Sequence, residues 1–211
     1  MLLLASASIL TAVAIGEFYS VWTHWLSLEP WKSLLILHSL LSVVALLTSR
    51  SLRRSFALKG RFLWVFFPAA LIVGGAFILV ILDRRDSIQT EGLEWQFALL
   101  SCSLIPIVEE IVFRGVLSPV LTHKNHPVWS MYFSALVFAL AHSSPTISRV
   151  INLNVGVPIG VFLLGFICQW LYRRTSSLLP AISFHCACNL TVIIFTKYGS
   201  DWLRRLSILY T

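Results

Sequence analysis

Charge is what this chain lacks. Only 12% of its 211 residues are Asp, Glu, Lys or Arg, about half the share usual in soluble domains. Nor does any long polar stretch divide it, and its apolar runs lack the strict alternation of barrel strands. These absences exclude an ordinary soluble enzyme, a multidomain chain with a flexible linker, and a transmembrane barrel. Histidine spaced as H-E-x-x-H is missing too, so the zinc-protease helix signature is not present. Four cysteines (Cys102, Cys168, Cys186, Cys188) all fall in apolar runs, where cysteine behaves as a small hydrophobe, so we expect no disulfide framework. Cys186 and Cys188 lack the spacing of a zinc module.

Apolar length is abundant. Hydrophobic residues make up 57% of the sequence, mean hydropathy is +0.83, and runs long enough to cross a bilayer, about 20 residues each, recur along it. We read seven segments, roughly 2–22, 31–48, 62–82, 95–121, 128–142, 155–172 and 178–196. In hydrocarbon the backbone must satisfy its own hydrogen bonds, so the expected fold is all-α, a polytopic transmembrane bundle of seven to eight spanning helices. It reads as a single membrane-embedded domain over residues 1–211. Trp22, Trp25, Trp31, Trp64, Trp95, Trp129 and Trp170 mostly mark segment ends, as interfacial tryptophans do. A short surface helix is expected between His142 and Val155, and an interfacial tail from Tyr198 to Thr211.

The net charge of +7 does not indicate nucleic acid. Its excess lies in links between apolar runs, above all Arg50, Arg53, Arg54, Lys59 and Arg61, the pattern of cytoplasmic loops beside an anionic bilayer surface. With that link inside, the N-terminus is inside, Arg173 and Arg174 are inside, and a seventh span would leave the C-terminus outside.

Against this background three acids and bases stand out. Between Trp95 and Leu121 the only formal charges are Glu109, Glu110 and Arg114. A lone charge at the bilayer centre costs at least ~2.5–3.5 kcal/mol, so such residues mark a buried polar site. On a helix Glu110 and Arg114 share a face and can pair. Glu109 is turned roughly 100° away and is left to act across the bundle. Pro106, three residues before it, predicts a bend that opens a polar cavity.

Two further pairs share a helix face each: Phe138 with His142, and His185 with Asn189. Taken singly, a histidine at a segment end such as His142 is more often interfacial than catalytic, and interhelical hydrogen bonding explains the His185 pair about as often as chemistry does. His38 in the second run is assigned to packing or a helix-helix hydrogen bond. His24, His123 and His126 fall in loops and are left out of the site. Together, two Glu, an Arg, two His and an Asn on three segments make up a base, its support, and groups able to hold an oxyanion.

Read in order as E-E-I-V-F-R at 109–114, F-A-L-A-H at 138–142 and H-C-A-C-N at 185–189, the motifs closely resemble those of the CAAX-protease and bacteriocin-processing family of intramembrane proteases. The resemblance covers about 95–196, the expected catalytic core. It implies a glutamate-type intramembrane endopeptidase acting on a membrane-associated peptide or protein near its terminus. Glu109 and His142 would activate water. His185 and Asn189 would stabilise the oxyanion, and Glu110, Arg114 and Phe138 would support the site. It implies no cofactor, although Glu, His and Asn could also bind zinc. The short chain points to the plasma membrane of a bacterium or archaeon. Two other classes remain open: a non-catalytic membrane peptide-binding or immunity protein, and a proton-coupled transporter, for which no inverted repeat is visible.

One consequence is awkward. In simple alternation His142 and His185 lie towards opposite membrane faces, so convergence on Glu109 requires a longer or tilted fifth helix, or a different topology.

Overall fold

The computed structural model describes residues 2–26, 30–57, 62–82, 95–121, 127–143, 157–199, 202–203 and 205. Every regular element among them is helical. In chain order these are α1 (Leu2–Leu26), α2 (Pro30–Thr48), the short α3 (Arg50–Arg54), α4 (Phe62–Leu82), α5 (Trp95–Ser101) and α6 (Leu104–Glu110). A π-helical segment (Ile111–Leu117) continues α6 into α7 (Ser118–Leu121), followed by α8 (Pro127–His142), α9 (Ile159–Thr175) and α10 (Leu178–Tyr198). The expected surface helix after His142 falls mostly outside the described residues, as do His123, His126, Lys59, Arg61 and most of the tail after Tyr198.

Among the described residues, two helices are long and apolar enough to cross a membrane by length and composition, over Leu63–Val80 and Leu178–Tyr198. Lys32–Thr48 and Val128–His142 are shorter apolar helices. The expectation of seven to eight spans is therefore met by this measure only at two helices. Leu40, Leu47, Leu63, Phe67, Leu71, Leu99 and Leu163 stay exposed on the outer surface, where a water-soluble fold would not place so many.

The 95–121 segment departs most from the sequence expectation. It is not one bent helix. Pro106 sits in the first turn of α6, where a missing N–H leaves no intrahelical bond unmade, and the chain turns at Cys102–Ser103 just before it. Beyond Glu110 the helix widens to π geometry, closed by the Ser118 N–H on the Phe113 carbonyl. Such widened turns are rare and collect at functional sites.

The first two helices pack side by side. Tyr19 meets His38, and the Trp22 indole donates to the Ser33 carbonyl at 2.8 Å, so α1 and α2 are antiparallel. At the opposite end, the Leu178 N–H donates to the Ser55 carbonyl at 2.8 Å and the Ser177 hydroxyl to the Ala57 carbonyl at 3.3 Å. Those bonds set the two arginine-bearing turns, 50–54 and 173–174, side by side. The core behind the motifs is apolar: Val137, Phe138, Ala139, Leu164, Cys168, Leu171, Ala181 and Phe184 pack together. Leu52 of α3 packs with Ile111, Leu178 and Ile182. All four cysteines are free.

Candidate active site

Glu109 and Glu110 end α6, one turn after Pro106, with their side chains on different faces. Glu110 is fully buried. Its Oε1 lies 3.0 Å from the Arg114 guanidinium and accepts the His185 Nδ1 proton at 2.9 Å. Arg114, equally buried, donates from Nη2 to the Gly165 carbonyl at 2.9 Å and stacks over the Phe138 ring, 4.3 Å from its centroid. One side chain thus ties the π segment to α8 and α9. Arginine suits this position because its planar head can donate, pair and stack at once.

Glu109 takes the other direction. Its Oε1 is 3.7 Å from Nε2 of His142 and its Oε2 is 3.7 Å from Nε2 of His185. Both gaps exceed a direct hydrogen bond and suit a shared water. Ring geometry fixes the roles of the nitrogens. A carbonyl can only accept, so the 2.8 Å contact of His142 Nδ1 with the Phe138 carbonyl places a proton on Nδ1 and leaves Nε2 as the nitrogen facing Glu109. By the same logic His185 donates its Nδ1 proton to Glu110 and turns Nε2 towards Glu109.

The awkward convergence resolves without a longer helix. α8 stops at His142 and turns at Ser143. At 1.5 Å per residue its 16 residues span only about 24 Å, and the imidazole folds back over the preceding turn. Phe138 supports it, with ring centroids 4.5 Å apart, and meets His185 edge-on at 5.8 Å.

Asn189 lies one turn beyond His185 and donates from Nδ2 to the Ser101 carbonyl at 2.7 Å. The break after α5 leaves that carbonyl without its helical donor. Asn189 thereby spans the break, and its second amide hydrogen remains for the cavity.

These groups line one cavity of about 350 Å³, whose remaining wall is mainly aliphatic, with Leu34, Leu35, Ile105, Val161 and Val192. The His142 side chain is 31% exposed against 12% for Glu109 and 3% for His185, so the cavity mouth lies at His142. The structure brings Glu109, His142, His185 and Asn189 to this cavity and sets Glu110, Arg114 and Phe138 behind them. It also brings His38, which sequence reasoning assigned to packing: the ring does bond across helices, to Tyr19, but it lines the cavity as well. Only its position in an otherwise apolar run marked it out.

As a metal site the neighbourhood is mixed. Glu109 with two imidazole nitrogens is a donor set that zinc accepts. Among the described residues, the donors within 4.8 Å of one another are instead those of Glu110, Cys168 and His185, and there the Arg114 guanidinium already pairs with the carboxylate.

Residues 91–191 match the family model described as type II CAAX prenyl endopeptidase Rce1-like. The match places this region in the CAAX protease family that its motifs resemble, a protease family of membrane proteins. No curated protein matches the chain, and no solved structure does.

Proposed function

We propose that the chain is a multi-pass intramembrane endopeptidase that cleaves a membrane-associated peptide or protein by glutamate-activated attack of water. The observation carrying this reading is the Glu109 carboxylate held 3.7 Å from two imidazole Nε2 atoms in a largely apolar cavity. Water in the gap between Glu109 and His142 gives up a proton to them as its oxygen bonds the peptide carbonyl carbon. The Asn189 amide and the His185 ring face the resulting oxyanion, an interaction worth several kcal/mol when donors are fixed in advance. The C–N bond then breaks, and the proton taken from water passes to the leaving amine. Glu110, anchored by Arg114, holds His185 in position and supports a positive charge on its ring. No metal enters these steps.

The segments are read as seven traversals of a bacterial or archaeal plasma membrane, with the arginine turns on the cytoplasmic side. The antiparallel packing of α1 against α2 and the bonds joining residues 55–57 to 177–178, beside the arginine-bearing turns, support that arrangement.

New peptide termini should be compared by mass spectrometry in cells holding wild-type protein or Glu109→Gln at equal membrane levels. Termini found only with wild type are expected. Identical profiles, with the native substrate expressed, would overturn proteolysis and favour the peptide-binding or immunity reading.

A further inference from the structure

The catalytic motifs all come from residues 91–191, yet one wall of their cavity does not. It comes from α2, through Leu34, Leu35 and His38. His38 is 5% exposed and its Nε2 lies against the hydroxyl of Tyr19, itself 8% exposed, on α1. The ring is held on a second side by Phe113, edge-on with centroids 6.1 Å apart. One turn further along α2, the Ser42 hydroxyl donates to the Val108 carbonyl at 3.2 Å, so this face of α2 is pinned to the helix carrying Glu109. An imidazole clamped in this way has one nitrogen, Nδ1, left for the cavity.

The cavity is rich in acceptors. Both Glu109 oxygens and the Nε2 lone pair of His142 face it, whereas the donors already named, His185 and the spare Asn189 hydrogen, are committed to the oxyanion. A peptide in extended form presents carbonyls as well as N–H groups, and its carbonyls need donors. A hydroxyl donating to His38 Nε2 leaves the ring proton on Nδ1.

We propose that Tyr19 fixes His38 as its Nδ1–H tautomer, and that His38 then donates a hydrogen bond to a backbone carbonyl of the bound peptide. His38 is a substrate-positioning residue on the α2 wall of the cavity, contributed by a region outside the family match. The kinetic half of this proposal rests on the proteolytic reading; the tautomer half does not.

The tautomer is read by nitrogen NMR of histidine-labelled protein in proteoliposomes, with His38 assigned by the signals lost in His38→Asn. Wild type should show a protonated Nδ1 and a bare Nε2, and Tyr19→Phe should give a mixture. A wild-type proton on Nε2 overturns the proposal. For kinetics, the probe is a quenched-fluorescent peptide carrying the junction found by the terminus comparison. His38→Phe keeps the ring packing but not the donor, and should raise KM about tenfold with kcat within about twofold. His38→Asn, which places an N–H near the Nδ1 position, should restore KM to within about threefold of wild type. An unchanged KM in His38→Phe, or a collapse of kcat, overturns the assignment. If Glu109→Gln shows that nothing is cleaved, retention of randomised ten-residue apolar peptides is compared between Glu109→Gln and Glu109→Gln/His38→Phe. Lower retention by the double variant upholds the contact, and equal retention removes it.

Discussion

Arg114→Met should destabilise this protein more than removing Arg114 and the charge of Glu110 together. In the native site the two buried charges sit 3.0 Å apart, and Glu110 Oε2 and Arg114 Nε have no hydrogen-bond partner among the described residues. The arrangement therefore depends on mutual charge rather than on a full set of hydrogen bonds. Methionine fills much of the arginine's volume but leaves Glu110 buried beside the His185 N–H alone. Breaking a buried pair on one side costs about 3–5 kcal/mol. The lost bond to the Gly165 carbonyl and the stacking on Phe138 overlap with that figure, because they belong to one network. At roughly 2–4 °C per kcal/mol for a chain of this size, Arg114→Met should unfold about 6–20 °C earlier in nanodiscs. Glu110→Gln/Arg114→Met carries no stranded charge and should recover most of the loss, to within about 5 °C of wild type. Cleavage should not recover with it, because His185 has lost the carboxylate that holds its ring. A single variant melting within about 3 °C of wild type, or a double variant no more stable than the single, would refute this account.

Gly165→Ala tests how closely α8 and α9 approach. An added Cβ would lie 2.9 Å from Phe138 Cδ1 and 3.3 Å from the Ala135 Cα, and a backbone neighbour cannot yield cheaply. We expect a loss of about 1–3 kcal/mol in thermal unfolding and lower activity as Phe138 leaves Arg114 and His142. Gly74→Ala, where nothing lies within 4 Å, is the control and should melt with wild type. Treatment with 1,10-phenanthroline should leave cleavage intact, with less than about 0.1 zinc per chain by elemental analysis. Loss of activity restored by added zinc would instead support a zinc-dependent mechanism at Glu109 and the two histidines.

The helices were legible because their physical cause is local. Apolar runs with so few charges leave the backbone little alternative to helix, and apart from 95–121, which is broken at 102–103, the segments read from composition coincide with helices to within a few residues. Glu109, Glu110 and Arg114 were legible for the complementary reason: charge inside an apolar run is costly unless something answers it, so its presence signals a partner. The spacing of Glu110 and Arg114 also identified which partner.

The tertiary structure decided what spacing cannot encode. Pro106 announced an interruption, but whether it bends one helix or begins a new one depends on who answers the carbonyls freed at the break. At Ser101 the answer comes from Asn189, 88 residues away. The π-helical turn after Glu110 has no sequence mark. It sits among contacts from other helices, with Leu52 against Gly115 and Arg114 reaching α9. His38 shows the same division. A lone histidine in an apolar helix called for packing or a helix-helix hydrogen bond, and sequence alone did not name the partner. Only the packing of α1 and α2 against the glutamate helix turned that ring towards the cavity. Secondary structure here follows from solvation of the backbone, which each segment carries within itself, whereas the site depends on distances between side chains far apart in sequence, which exist only once the helices have packed.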